Sequence, residues 1–327
     1  MPVLLRLPLG IAAVVFSALL FTNALEWLGH RLRLGQAALG SIFAALGTAL
    51  PEASIALLAA LEHGTAGGGD AVSVGAVIGA PLLLATLGFA VLALGTYRAG
   101  RRVLRVGVHA IGRDLVTYLI AFGLAALAGI VGLPATARTI VALALVAAYG
   151  VYVWVTVGAA PHGSGASAPP RRLWVAPRRE RPPWVAVLGQ LALAMALMLV
   201  GAEVFVQALT AWAADLALSG FVLAVLIAPL ATELPETVNS VVWIGQDKDT
   251  LAAANVSGAM VLQGAVIPAV GLVFTPWRFN AVEAVAAAVA LGGALIALLG
   301  LVWLRRLPIW LLLCPVALYL GFVVWVL

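Results

Sequence analysis

Charge is scarce in this sequence. Of its 327 residues only 9% are Asp, Glu, Lys or Arg, where a soluble domain carries about 25%. Hydrophobic residues make up 64% and the mean hydropathy is +1.13. That excludes a soluble globular fold, and the chain is too apolar to stay disordered. Lysine occurs once, at Lys248. No Gly-Lys-Ser/Thr exists, which excludes a P-loop ATPase. The one cysteine, Cys314, excludes an internal disulfide, an iron–sulfur cluster and a Cys-rich zinc site. His30, His63, His109 and His162 are far apart in or beside loops, and no His-Glu-x-x-His of a membrane zinc protease is present. Neither a nucleophile–base pair nor a metal centre of the enzymatic kind can be found. The chain reads as no enzyme, with no cofactor.

What remains is membrane-spanning helix, which needs roughly 20 apolar residues per span. Apolar runs bounded by charge, Gly or Pro give ten candidate spans, near 8–28, 36–61, 72–96, 114–133, 138–159, 184–209, 217–244, 250–274, 281–303 and 308–327. The first reads as a retained helix, because its charged start is thin and no small-x-small cleavage site follows. Charge tests the count. Loops on one side carry Arg31, Arg33, Arg98, Arg101, Arg102, Arg105, Arg113, Arg171, Arg172, Arg178, Arg179, Arg181, Lys248, Arg305 and Arg306, fifteen of the 18 basic residues. Only Arg6, Arg138 and Arg278 fall on the other side. This split follows the rule that basic residues stay inside. It predicts a multi-pass protein of the plasma (inner) membrane with both termini outside. The arginines serve topology, and the basic pI of about 10.0 implies no nucleic-acid partner. Most tryptophans, among them Trp27, Trp277 and Trp303, fall near span ends and read as interfacial anchors, as do the acids Glu26 and Glu283.

One linker, 161–183, is rich in Ala, Gly, Ser and Pro and then in Arg, and predicts a flexible or extended cytoplasmic segment. It separates residues 1–160 from residues 184–327, five spans each. Five is odd, so homologous halves must be inverted. The halves repeat: Gly47-Thr-Ala-Leu-Pro-Glu52 is matched by Ala231-Thr-Glu-Leu-Pro-Glu236, and Ala76-Val-Ile-Gly-Ala80 by Asn255-Val-Ser-Gly-Ala259. The expected fold class is all-α integral membrane, ten transmembrane helices as two inverted five-helix repeats with broken helices at the midplane.

The repeated motif carries chemistry. Thr48 and Glu52, like Thr232 and Glu236, are four residues apart and share a helix face. Glu233 sits one turn before Glu236. A carboxylate at a helix centre costs about 2.5–3.5 kcal/mol on insertion scales, so three of them must face the bundle interior, a cation or protons. Pro51 and Pro235 cannot donate to the carbonyls of Gly47 and Ala231, and carbonyls freed inside a membrane are tolerated where they line a cavity. Those two carbonyls with Thr48, Glu52, Thr232, Glu233, Glu236 and Gln263 reach the 6–8 oxygens that Ca²⁺ prefers. No soft ligand for copper or zinc is near.

These motifs resemble the two signature repeats of the sodium/calcium exchanger family, in the cation/calcium exchanger superfamily. The family pattern is Gly-Thr-Ser-Leu-Pro-Glu and, one helix later, Gly-Asn-x-x-Gly-Ser-Asn-x-x-Asn/Asp. The resemblance implies ion sites enclosed by the second, third, seventh and eighth helices, with the first and sixth sliding past them. It also implies Glu52 and Glu236 as central Ca²⁺ ligands and Thr48 and Thr232 as helpers. Departures stand out. Ala49 and Glu233 replace the two motif serines. The third span reads Gly79-Ala-Pro-Leu-Leu-Leu84 and has lost its side-chain ligands. The eighth keeps Asn255 and has Gln263 where Asp or Asn is usual. Glu203 of the sixth span is similar to an acidic position common in the family's sliding helix.

The function expected is antiport of Ca²⁺, or a related divalent cation, against Na⁺ or H⁺ by alternating access. Its partners would be inorganic cations and the bilayer, with no obligatory protein partner. The alternatives are a proton-coupled exchanger of another cation, a membrane-embedded enzyme, or a paralogue that binds ions without moving them.

Overall fold

The computed structural model describes residues 3–48, 70–159, 170–215 and 233–326. Its helices are α1 (Val3–Leu32), α2 (Gln36–Thr48) and α3 (Asp70–Leu83, continued through Phe89–Arg98). They continue with α4 (Val108–Val131), α5 (Ala135–Gly158), α6 (Trp184–Asp215) and α7 (Leu234–Ile244). The last three are α8 (Asp249–Phe274), α9 (Ala281–Leu304) and α10 (Ile309–Val326). All but α2 and α7 are long and apolar enough to cross a membrane, eight helices among the described residues. The protein is an all-α, multi-pass membrane protein. The expected second and seventh spans each extend into residues outside the described set.

Two helices carry π-helical turns, over Leu39–Ala44 in α2 and Leu84–Gly88 in α3. Such insertions bulge a helix and gather at functional sites. The bulge in α2 lies against α8. A Cβ added at Gly258 would overlap the backbone of Ser41, and one at Gly40 would come within 2.6 Å of the Leu251 carbonyl. Glycine on both helices lets the two backbones touch, the packing expected where lipid supplies no hydrophobic drive.

α8 and α3 are the two most enclosed spans, while α5, α6 and α10 turn most of their surface outward. α1 lies along α6 and also touches α7. The basic-loop side is closed by short contacts. Val103–Leu104 pairs antiparallel with Leu307–Pro308. Arg101 Nη1 lies 2.6 Å from Asp249 Oδ2, which also accepts the Arg105 backbone N–H at 2.8 Å.

The structure corrects several expectations. Residues 170–183 are irregular and mostly exposed but anchored at a few points. The carbonyl of Arg171 accepts from Asn23 Nδ2 at 3.2 Å and from Trp27 Nε1 at 2.9 Å. Gln190 of α6 accepts the Val175 N–H at 3.0 Å, and Leu173 is fully buried. Buried amides on α1 and α6 hold this arm in place. Trp27 and Trp277 are core residues, with Trp277 Nε1 donating to the Ala125 carbonyl at 2.9 Å. Trp154 and Trp303 are exposed. Glu283 forms a capping box with Asn280, which satisfies the first amides of α9. Glu26 is buried against Lys248, Oε1 to Nζ 2.5 Å. Glu203 is exposed and accepts from Gln207 on its own helix at 3.2 Å.

Candidate functional site

α7 begins at Leu234, with Glu233 at the preceding turn. Pro235 therefore falls in the first turn, where its missing N–H is no loss. Glu236 shares that turn, where the peptide dipoles favour negative charge. Both Glu233 and Glu236 are fully buried.

α8 runs alongside and supplies polar partners. Gln263 Nε2 donates to Glu233 Oε1 at 2.7 Å. Asn255 Nδ2 donates to the Glu236 carbonyl at 3.0 Å and to Ser240 Oγ at 3.2 Å. Ser240 donates to the Glu236 carbonyl at 2.7 Å and reaches the Ala252 carbonyl at 3.1 Å. The Leu-Pro-Glu turn is thus fixed to α8 at two levels, by Gln263 on one side of Glu236 and Asn255 on the other. The arrangement holds two carboxylates and amide oxygens in a buried interior, a hard-cation chemistry.

On the first half, Gly47 and Thr48 end the described part of α2. Thr48 is buried and its hydroxyl donates to the Ala44 carbonyl at 3.0 Å, the usual satisfaction of a helical threonine. Its lone pairs are still available as ligands. Pro51, Glu52, Ala231 and Thr232 lie outside the described residues. Among the described residues, no three of His, Cys, Asp and Glu come together as a metal cluster. Leu84 of α3, where the resemblance leads one to expect a ligand, is buried core together with Leu82 and Leu83.

Sequence reasoning missed Asp114. The fourth span was expected to begin there, yet α4 begins at Val108 and encloses it fully. Asp114 Oδ2 accepts from Ser41 of α2 at 2.6 Å and from Ser257 of α8 at 2.8 Å. Its Oδ1 accepts from Tyr152 of α5 at 3.0 Å, with Arg113 Nη2 3.6 Å away. One carboxylate therefore ties four helices together, directly beside the Gly258–Ser41 contact. The available signal was a lone acid within reach of an arginine at the edge of an apolar run.

Asn239 was also missed, although it is three residues after Glu236. Glu236, Asn239, Ser240 and Trp243 share one side of α7, and all are fully buried. Both polar atoms of the Asn239 side chain, Oδ1 of Asn255 and Nε1 of Trp243 have no hydrogen-bond partner among the described residues. An unsatisfied buried polar atom costs about 1–3 kcal/mol, and native structures keep few of them.

The family profile for sodium/calcium exchanger proteins matches residues 3–158 and 186–327. No curated protein sequence matches. Among solved structures, the chain is similar to the sodium-calcium exchanger NCX_Mj soaked with Na⁺ and Sr²⁺. The TM-score is 0.76 at 22% identity, over 98% of this chain and 97% of that one. NCX_Mj soaked without Na⁺ and Ca²⁺ gives 0.75 at 21% identity over 99% of both chains. The H⁺/Ca²⁺ exchanger CAX gives 0.74 at 19% identity, over 100% of this chain and 82% of that one. At such identities the likeness is one of fold.

Proposed function

This chain belongs to the sodium/calcium exchanger family, and from that premise we propose that it is a secondary active antiporter moving Ca²⁺, or a related divalent cation, against Na⁺ or H⁺. It is a transporter, not an enzyme. The ions are its substrates and it needs no cofactor; its other partner is the bilayer. The observation that carries the reading is the pair of buried glutamates at the start of α7, held to α8 through Gln263 and Asn255. Glu236 is the central ligand and Glu233 a second charge beside it. Glu52 and Thr48 complete the site from the first half, with Thr232, Gln263, Asn255 and the carbonyls of Gly47 and Ala231.

Coupling follows from competition. Two cations that need the same carboxylates cannot occupy them together, so each favours release of the other. The halves 1–160 and 184–327 form two inverted five-helix repeats of a ten-span fold, joined by a cytoplasmic 161–183 segment. Both termini face outside the plasma membrane. α1 and α6, which pack along each other, make the pair that shifts.

A proton-coupled version of the exchange is favoured by one observation. α3 has a buried Leu84 where the family pattern carries Asn or Asp, while Glu233 adds a protonatable group. Calcium-45 uptake into proteoliposomes, under an outward Na⁺ gradient and separately an outward H⁺ gradient, decides between them. Uptake driven by one gradient and lost in Glu52→Gln and Glu236→Gln is the expected result. No uptake under either gradient by folded, inserted protein overturns calcium as the substrate.

A further inference from the structure

The unpartnered amides near Glu236 lie on a definite line. From Glu236, α7 runs through Asn239, Ser240 and Trp243 to the turn at Gln246–Lys248, on the side that carries the basic loops. α8 starts in that same turn and brings Asn255 back to Ser240. Every one of these side chains except those of the turn is fully buried. Apolar residues at these positions would have sealed the interior without loss. Instead two amides, an indole N–H and a hydroxyl extend the polar interior from the carboxylate toward one membrane face.

Four polar atoms on this line lack partners among the described residues: Oδ1 and Nδ2 of Asn239, Oδ1 of Asn255 and Nε1 of Trp243. The chemistry of the set selects its occupant. Two neutral amide oxygens suit a hard cation, and they hold it less firmly than a carboxylate does. Two N–H donors, the Asn239 amide and the indole, can be met only by acceptor oxygens such as the cation's own water. A partly hydrated cation satisfies both kinds, whereas a bare ion or an apolar group satisfies one or neither.

The outer end of the line is closed by an ion pair. Lys248 Nζ lies 2.5 Å from Glu26 Oε1 and 2.9 Å from Gln246 Oε1. Glu26 belongs to α1 and Lys248 to the α7–α8 turn, so this contact joins the α1–α6 pair to the helices of the site. Its partners are single groups on separate elements, and the pair breaks when those elements separate.

From these placements we infer that Asn239 and Asn255 form a staging site for a partly hydrated cation between Glu236 and the basic-loop face, with the Glu26–Lys248 pair as its closure. The inference rests on the antiporter reading for its direction of traffic. Its test does not depend on which cation is carried.

The test uses Asn239→Cys in a Cys314→Ala background, reconstituted in sided proteoliposomes, with a membrane-impermeant, positively charged methanethiosulfonate reagent. Modification from the basic-loop face only is expected, and Lys248→Gln speeds it severalfold. No modification from that face, while the denatured protein reacts, overturns the site; so does modification from the opposite face alone. If Asn239→Cys does not fold, Trp243→Cys on the same face of α7 carries the same test. A second readout is flux. Asn239→Leu raises the apparent KM for cation presented at the basic-loop face and leaves the opposite face unchanged. An equal shift at both faces, or none, overturns the proposal. A failure of calcium flux with sided labelling intact would instead count against calcium as the cargo.

Discussion

α3 and α8 carry the same short motif and are the two most enclosed spans, yet they are built on opposite plans. α8 is α-helical from Asp249 to Phe274 and buries Asn255, Ser257 and Gln263, each bonded to another helix. α3 is interrupted by a π-helical turn and buries Leu82, Leu83 and Leu84. Its one buried hydroxyl in that stretch, Thr86, donates to the Leu82 carbonyl of its own helix at 2.6 Å. Among the described residues, matched burial thus goes with unmatched polarity on these two helices. α8 offers side-chain amides and a hydroxyl to its neighbours, and α3 offers leucines.

Four substitutions test that asymmetry. Glu236→Gln takes the central charge from the polar half and should reduce gradient-driven calcium-45 uptake to background. Retained uptake would put the essential charge elsewhere. Gln263→Leu leaves both glutamates but removes the donor to Glu233. Loss of a group that orients a ligand costs roughly 10–100-fold in metal affinity, and a calcium titration of uptake would read it; an unchanged titration would show that α8 does not orient the site. Asp114→Ala strands the hydroxyls of Ser41, Ser257 and Tyr152. At about 1–3 kcal/mol for each stranded buried group, it should lower the thermal unfolding midpoint in detergent more than Tyr152→Phe does. Equal midpoints would deny Asp114 its joining role. The smallest change is expected from Leu84→Asn, which places an amide on the apolar half. Uptake should become modestly more dependent on the Na⁺ gradient; an unaltered response would mean that α3 does not face the ions.

The parts legible in the sequence were those written as repeated or alternating patterns. The duplicated Leu-Pro-Glu marked Glu236 and its neighbour Glu233, and both are buried where two helices meet. The apolar runs marked the spans, and the boundaries of α5, α8, α9 and α10 fall within a few residues of them. Other features leave no such pattern. A π-helical turn changes the backbone by one residue without altering the apolar run, so those in α2 and α3 were invisible. Asp114 follows an arginine at the edge of such a run, and the apolar pattern placed it only at the first residue of the fourth span. Glu26 and Lys248 are 222 positions apart in the numbering, and only the fold brings them within 2.5 Å. Trp277 has the composition of an interfacial anchor, and the carbonyl of Ala125 makes it a core residue. Thr48 could be read either way, and its bond to Ala44 favours the local reading for its proton.

The solitary lysine has a practical consequence. Apart from the chain's amino terminus, Lys248 is the one primary amine in the protein, and its Nζ lies 2.5 Å from Glu26 Oε1. A nitrogen engaged with Glu26 and Gln246 is hindered from attacking a reagent, so acylation is faster when those contacts part. The native chain therefore carries its own chemical clock. The rate at which a water-soluble acylating reagent modifies it reports how often α1 separates from the α7–α8 turn, with no label introduced and no helix altered.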